Sequence, residues 1–199
     1  MKRHRSVPLR RGRKIIASLA VSADGYIARA DGGVEWLNRP RTAGDHGMAA
    51  FFRSIDTILW GRKTYEIALR FFGGKGVGSG AGIQNYVFST RPPKSHPADV
   101  EFVRQPLRTF ARRLRENPGK DIWMMGGAKL IASFLDGGEI DELVLHVIPT
   151  LIGEGIPLLA PRRRLVPLRL LSVRRFSDGV VRLHYAVAGA APKKSVRNR

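Results

Sequence analysis

Glycine, two cations and a hydroxyl stand in a row at Gly61-Arg62-Lys63-Thr64, ahead of Tyr65 and Glu66, where the apolar run TILW (57–60) gives way to a helical pattern. A strand-to-helix junction of this kind presents unpaired backbone N–H groups and the positive end of a helix dipole, which is phosphate-site chemistry. An ordinary helix start with two solvated cations would use the same residues, and spacing alone leaves both readings open. A second junction, Ser89-Thr90-Arg91, follows the run QNYVFS and offers two hydroxyls and a guanidinium for charge-assisted hydrogen bonds. A third, Met125-Gly126-Gly127-Ala128, lacks side chains where a backbone must approach a ligand closely. Each is weak alone. Three in series, each at the carboxyl end of a predicted parallel strand, fall where open α/β sheets bind ligands and point to a ligand with several phosphates, such as a dinucleotide. The chain has neither the GxGxxG fingerprint nor a Walker A loop in this series, which disfavours those folds.

The elements that must position these junctions can be read from periodicity. KIIASLAVS (14–22) is a first strand closed by Asp24-Gly25, and residues 23–44 read as a long irregular loop. Asp45 is available to cap an amphipathic helix that runs into the strand at 57–60, and a short helix begins near Lys63. After a glycine-rich segment, Gly73 to Gly82, which reads as a surface loop, strands are expected at 84–89, 99–103 and 121–125. Helices are expected at 107–116, with Arg112, Arg113 and Arg115 on its wet side, and at 128–136. DELVLHVIPT (141–150) is nearly continuously apolar, as for a central strand covered on both faces. Residues 166–175 and 180–187 form two strands joined by the turn Ser177-Asp178-Gly179. The pattern is α/β, a mostly parallel sheet with an antiparallel edge.

Composition narrows the class. A chain of 199 residues, 43% hydrophobic, can build one core. It has no cysteine, which excludes disulfides, thiolate metal sites and a thiol nucleophile, and no metal site is expected. The net charge of +19 resembles a nucleic-acid signature, but residues 2–14 carry seven basic side chains and the stretch after Gly189 four more, neither with an acid. Residues 1–13 and 189–199 therefore read as solvated tails around a domain over 14–188. The apolar run Ile15 to Ala23 imitates a signal peptide but is short and serves better as a strand; no apolar stretch approaches the roughly 20 residues that span a bilayer.

The segments SADGYIARADGGVEWL (22–37), SIDTILWGRKTYE (54–66), YVFSTR (86–91), IWMMGGAKLIASFL (122–135) and IDELVLHVIPTLIGEGIPLL (140–159) together resemble the dihydrofolate-reductase superfamily. They are most similar to its branch containing the C-terminal reductase domain of the bifunctional riboflavin-biosynthesis deaminase-reductase. The resemblance spans residues 14–187. It implies a three-layer α/β fold, with a mostly parallel central mixed sheet flanked by helices and a C-terminal antiparallel hairpin. It implies NADPH as cofactor, with Gly61, Arg62, Lys63 and Thr64 at its phosphates and Ser89, Thr90 and Arg91 at the adenosine 2′-phosphate. Gly126, Gly127, Ala128 and Lys129 would form the pyrophosphate turn, the glycines joined by a cis peptide, and Ala20, Ile27 and Ala28 would line the nicotinamide. The activity implied is hydride transfer to a C=N or C=O carbon of a pteridine-like or ribosylamino-pyrimidine substrate, by a cytoplasmic homodimer. Gly153-Glu154-Gly155 matches a loop near the dimer contact or the substrate end. The paired cysteines of a zinc deaminase are absent, so no deaminase half is expected.

Candidate substrate-side residues are Asp45, Asp24, His146 and Trp36. Dihydrofolate reductases carry one acid on the first helix that supports protonation of the pterin; Asp45 is near that position, and an N-cap is the competing reading. Asp24 ends the first strand and could contact substrate or simply shape an Asp-Gly turn. His146 lies in the strand at 141–150, as a substrate-side residue or a hydrogen-bonded core histidine. Trp36 covers the site or pins its loop to the core. Two other classes remain: a basic protein binding nucleic acid through its tails and Arg162-Arg163-Arg164, which predicts salt-sensitive binding, and a cofactor-binding member with little turnover.

Overall fold

The computed structural model describes residues 12–38, 44–71 and 82–188. Both expected tails, save Gly12 and Arg13, and almost all of the glycine-rich segment lie outside the described residues. Of fifteen short elements in the described chain, ten are strands, which build a sheet of eight and a separate ribbon of two. The large sheet is made by β1 (Ile15–Ser22), β3 (Ile55–Gly61), β4 (Gln84–Phe88), β5 (Val100–Val103), β6 (Asp121–Gly126), β7 (Glu142–Ile148), β9 (Leu168–Arg175) and β10 (Val181–Val187). Its order is β5-β4-β3-β6-β1-β7-β10-β9. The first six in that order are parallel, and β10 and β9 complete it antiparallel. This is the three-layer dihydrofolate-reductase-like architecture.

Helices α1 (Met48–Ser54), α2 (Arg62–Phe71), α3 (Leu107–Glu116) and α4 (Ala128–Asp136) cover the sheet. Apolar side chains alternate between the faces of β3: Leu59 joins Ile15, Phe110, Ile131 and Phe134 in a core beneath α3 and α4, whereas Ile58 and Trp60 join Tyr65 and Trp123 beneath α1 and α2. Such alternation lets one strand feed two cores, and each fully buried Leu or Phe contributes about 2–3 kcal/mol.

Several expectations shift. The loop expected over 23–44 contains a strand, β2 (Tyr26–Ala28), which pairs with an unexpected β8 (Ile156–Pro157), and one 3-10 turn at Glu35–Leu37. The run 141–150 yields β7, flanked on both sides, yet most of its positions, Leu145 and Val147 among them, are only half-buried. The buried central strand is β1. Arg115 is not on the wet side of α3: it pairs with Asp141 at 2.7 Å and donates to the Glu139 carbonyl at 2.6 Å. Arg13, placed in the tail by composition, is 9% exposed, ion-paired with Asp56 and bonded to Thr57 Oγ1 and the Lys120 carbonyl at 2.6 Å each. Charge along a sequence cannot distinguish an arginine that a carboxylate waits for from one that water surrounds. Arg162 and Arg164 of the basic triplet likewise both pair with Asp136, at 3.0 Å.

Candidate active site

The strand order brings sequence-distant junctions together. Because β6 is inserted between β3 and β1, the carboxyl ends of β3 and β6 are neighbours, and so are the helices that follow them. Their backbones touch. A Cβ at Gly61 would lie 3.3 Å from the Gly126 carbonyl oxygen and the Gly127 nitrogen, and one at Gly127 would lie 2.8 Å from Thr64 Oγ1. Larger residues at Gly61 or Gly127 would fill the space between the two helix starts. The Gly126-Gly127 peptide is cis, as the resemblance implied, and Gly126 has a φ of +116°, a conformation natural to glycine.

Beside this junction lies a cavity of about 350 Å³. Its floor is β1 (Ser18, Leu19 and Ala20) with Trp123 and Met125 of β6, and its far wall is formed by His146 of β7 with His46. Of the residues anticipated from sequence, Ala20, Ile27, Thr64, Gly127 and His146 line it; Ala28, Trp36, Asp24 and Asp45 do not. Trp123 is fixed by a 2.7 Å bond from its indole Nε1 to the Ser18 carbonyl and by edge contacts from Phe51 and Phe52, so the floor is rigid aromatic surface.

The Ser89-Thr90-Arg91 junction follows β4, one strand outward from β3. Ser89 Oγ accepts from the Arg91 N–H at 3.1 Å, shaping a turn from which Thr90 and Arg91 project into solvent. From β4 to β1 is three strand spacings, roughly 15 Å. Arg62 pairs with Glu66 at 2.7 Å across one exposed helical turn, an interaction weak enough to exchange for a phosphate. Lys63, Arg91 and Lys129 make no ion pair among the described residues.

Both carboxylates accept backbone N–H groups. Asp45 is exposed and accepts from the Ala49 N–H at 2.6 Å and the Gly47 N–H at 2.9 Å, bracing the turn ahead of α1, whose N-cap is Gly47 and not Asp45 as expected; those bonds hold its pKa below the ordinary value. Asp24 accepts from Ser22 Oγ at 2.6 Å and from the Gly153 N–H at 2.7 Å, again lowering its pKa, and so ties the β1–β2 turn to the loop after β7. Trp36 is buried with Ile148, Phe176 and Val180, anchoring the loop that delivers Leu37 to the cavity.

His146, unlike the two carboxylates, lines the cavity. Its Nε2 is buried without a partner. Burial depresses its pKa, opposed by a hydrogen bond with the His46 main chain, and nearby Arg182 adds to the depression. The linkage sign follows: below about pH 6.5 the unfolded chain binds a proton that the folded chain resists, so stability falls as pH drops from 6.5 toward the lowered folded value. Urea midpoints between pH 7.5 and 5.5 should fall less in His146→Gln than in the wild type, and equal slopes would remove His146 from the account.

Sequence reasoning missed His46. Its Nε2 lies 2.9 Å from Asp178 Oδ2 and its ring meets Phe176 edge-on at 4.7 Å. Asp178 was read as a hairpin-turn residue, and the 132 positions separating the pair hid the contact. The one local signal, a histidine directly after a capping aspartate, was absorbed into the helix pattern; its φ is in fact +53°.

Comparison with known proteins identifies the family and the fold. Residues 13–182 match the RibD C-terminal domain. The Bacillus subtilis (strain 168) protein YwjB is 36% identical over 179 residues, covering 88% of this chain and 99% of YwjB. A solved structure from Shewanella sp. PV-4, assigned to riboflavin biosynthesis, is 25% identical and superimposes with a TM-score of 0.76, covering 87% of this chain and 98% of the other. Dihydrofolate reductase from Enterococcus faecalis shares the fold at 12% identity, with a TM-score of 0.59 over 88% of this chain and 96% of its own. From Arg13, which locks the start of the sheet, to the start of the antiparallel strand β10, the chain belongs to the RibD C-terminal domain family.

Proposed function

We propose that the chain is an NADPH-dependent reductase acting on a C=N or C=O carbon of a pteridine-like or ribosylamino-pyrimidine substrate. One observation carries the reading: two glycine-bearing helix starts, Gly61 and Gly126-Gly127, abut at the mouth of an aromatic-floored cavity that ends in two imidazoles. The open backbone there suits a pyrophosphate, and a Cβ at Gly127 would close it. Lys63, Thr64 and Lys129 would hold phosphates, Ser89, Thr90 and Arg91 the adenosine 2′-phosphate, and Ala20 and Ile27 the nicotinamide face. The Enterococcus faecalis reductase of the same fold is a complex with NADP(H), which supports the choice of cofactor. When bound, the cofactor supplies the hydride.

The chain's own side chains do the rest. Trp123, Met125 and Leu37 keep water from the reacting carbon. Hydride addition to C=N or C=O needs a proton, and the titratable side chains lining the cavity are His46 and His146. With Asp178 as a carboxylate acceptor, His46 Nε2 is the donor of that bond, which fixes the ring.

The test is a parallel titration of the purified protein with NADPH and NADH, followed by nicotinamide fluorescence. Binding selective for NADPH is expected, with oxidation of NADPH when pteridines and ribosylamino-pyrimidines are then screened. Failure of both nucleotides to bind would overturn the reading.

The same reading carries a cytoplasmic homodimer. What supports pairing is the outer strand β9, on which Leu168, Leu170 and Val173 are 43%, 52% and 56% exposed. Light scattering should give the mass of two chains, shifting toward one in Leu170→Lys; a monomeric wild type at micromolar concentration would discard the dimer.

A further inference from the structure

Two basic runs far apart in the sequence join the fold at one point. Asp141, just ahead of β7, accepts from the Ile15 N–H at 2.8 Å and from Arg115 of α3 at 2.7 Å, and its carbonyl accepts from the Val187 N–H at 2.9 Å. Arg115 Nη1 also donates to the Arg13 carbonyl at 3.5 Å, and a Cβ at Gly12 would lie 3.4 Å from the Arg115 carbonyl oxygen. Gly12 and the last residue of β10 therefore lie beside the same end of α3. Residues 1–11, attached at the first of these, carry Lys2, Arg3, Arg5, Arg10 and Arg11; residues 189–199, following the second, carry Lys193, Lys194, Arg197 and Arg199. Neither run contains an acid.

Beside that point is a second cavity of about 350 Å³, lined by Arg108, Thr109, Arg112 and Arg115 of α3 and by Glu139. The three arginines fall four and three residues apart, which puts them on one face of the helix. Arg115 is committed to Asp141 and to the Glu139 carbonyl, with the Glu139 carboxylate 3.7 Å away. Arg108 makes no ion pair among the described residues. Arg112 meets Glu116 only at 3.8 Å, with the two side chains 75% and 68% exposed, a contact weak enough to exchange. In the basic triplet, by contrast, Arg162 and Arg164 are taken by Asp136. The groove also lies away from the cofactor junctions. Ile15, at the Asp141 end of β1, is five positions from Ala20, roughly 17 Å along the strand.

We propose that this pole of the molecule binds nucleic acid through its phosphates, with Arg108, Arg112 and Thr109 seating the backbone and the cations of residues 1–11 and 189–199 adding to the attraction. The chemistry selects that partner. Guanidinium, which predominates in the groove and in residues 1–11, forks onto a phosphate. The groove has no apolar side chain in its lining that could enter a bilayer. Contacts of this kind are independent of base sequence, and their strength lies in released counterions. The proposal stands whether or not the chain is a reductase.

The experiment follows the fluorescence anisotropy of a labelled single-stranded RNA and a labelled DNA duplex, each about 20 nucleotides long, on titration with the full chain. Binding should weaken at least about 100-fold between about 50 and 200 mM salt, as for four or more phosphate contacts. Arg108→Gln combined with Arg112→Gln should weaken it at least about tenfold and lower the salt slope by about 2, with the urea midpoint as the check that the fold is intact. Arg108→Lys with Arg112→Lys, which keeps the charge, should retain most of the affinity. Glutamine at all five cations of residues 1–11 should weaken binding further, whereas saturating NADP+ and Arg91→Ala should leave it unchanged. Equal binding of RNA and duplex would show that phosphates alone are read, and a preference would identify the backbone that fits. The proposal is overturned if neither probe binds, if binding survives the double glutamine variant, or if NADP+ displaces the probe. It is equally overturned if phosphatidylserine vesicles bind with the same dependence on Arg108 and Arg112 while the nucleic acids do not.

Discussion

NADPH should bind Arg91→Ala about 10- to 100-fold more weakly than the wild type, while NADH binding stays the same. The magnitude is that of one hydrogen bond between a charged donor and a charged acceptor, about 1.5–3 kcal/mol, converted to affinity. The selectivity follows from position. Arg91 projects from the turn after β4, three strands from β1, and makes no ion pair among the described residues, so its loss leaves the cavity and the glycine junctions untouched. Only a ligand long enough to reach from Ala20 to that turn, with an anion at its far end, can sense the change. Because the site is exposed, the wild-type preference for NADPH should also shrink with added salt. Equal weakening of both nucleotides would mean that Arg91 supports the fold and does not read the 2′-phosphate.

Gly155→Ala should cost about 3 kcal/mol of stability, whereas Gly153→Ala, two residues away, should cost about 1 kcal/mol. Both glycines have positive φ, +154° and +77°, so a side chain is strained at either. They differ in surroundings. A Cβ at Gly155 would stand 2.2 Å from the Ala28 carbonyl oxygen, a backbone atom held in the β2–β8 pairing, while one at Gly153 would meet nothing within 4 Å. The alanine must therefore push β2 aside, and β2 carries Ile27 into the cavity. A second consequence is weaker NADPH binding in Gly155→Ala but not in Gly153→Ala. Urea unfolding and the nucleotide titration measure the two effects, and equal stability of the two variants would show that β8 does not hold β2 in place.

Much of this was legible before any fold was known. Helices α3 and α4 were read at the boundaries they have, because Phe110, Ala111 and Leu114, and Ile131, Ala132 and Phe134, recur at helical spacing and Pro118 and Gly137 follow them. β2 and β8 were not legible: three residues and two residues carry no period, and their pairing joins positions about 130 apart. Asp45 and Asp24 were read with both a chemical and a structural use, and the backbone N–H groups that each accepts, Ala49 and Gly153, come from turns whose course no local period records.

The sequence by itself determined the long strands and helices, that glycine, hydroxyl and cation cluster at three strand ends, and that no cysteine chemistry is available. Those properties depend on neighbours within a few residues, whose spacing the chain states directly. Tertiary structure alone decided that Arg13 belongs to the core, that Gly61 meets Gly127, that His46 rather than Asp45 reaches the cavity, and that Arg182 stands in line with His146. Each is a contact between residues dozens of positions apart, set by the order in which strands insert into the sheet, and no local period records that order.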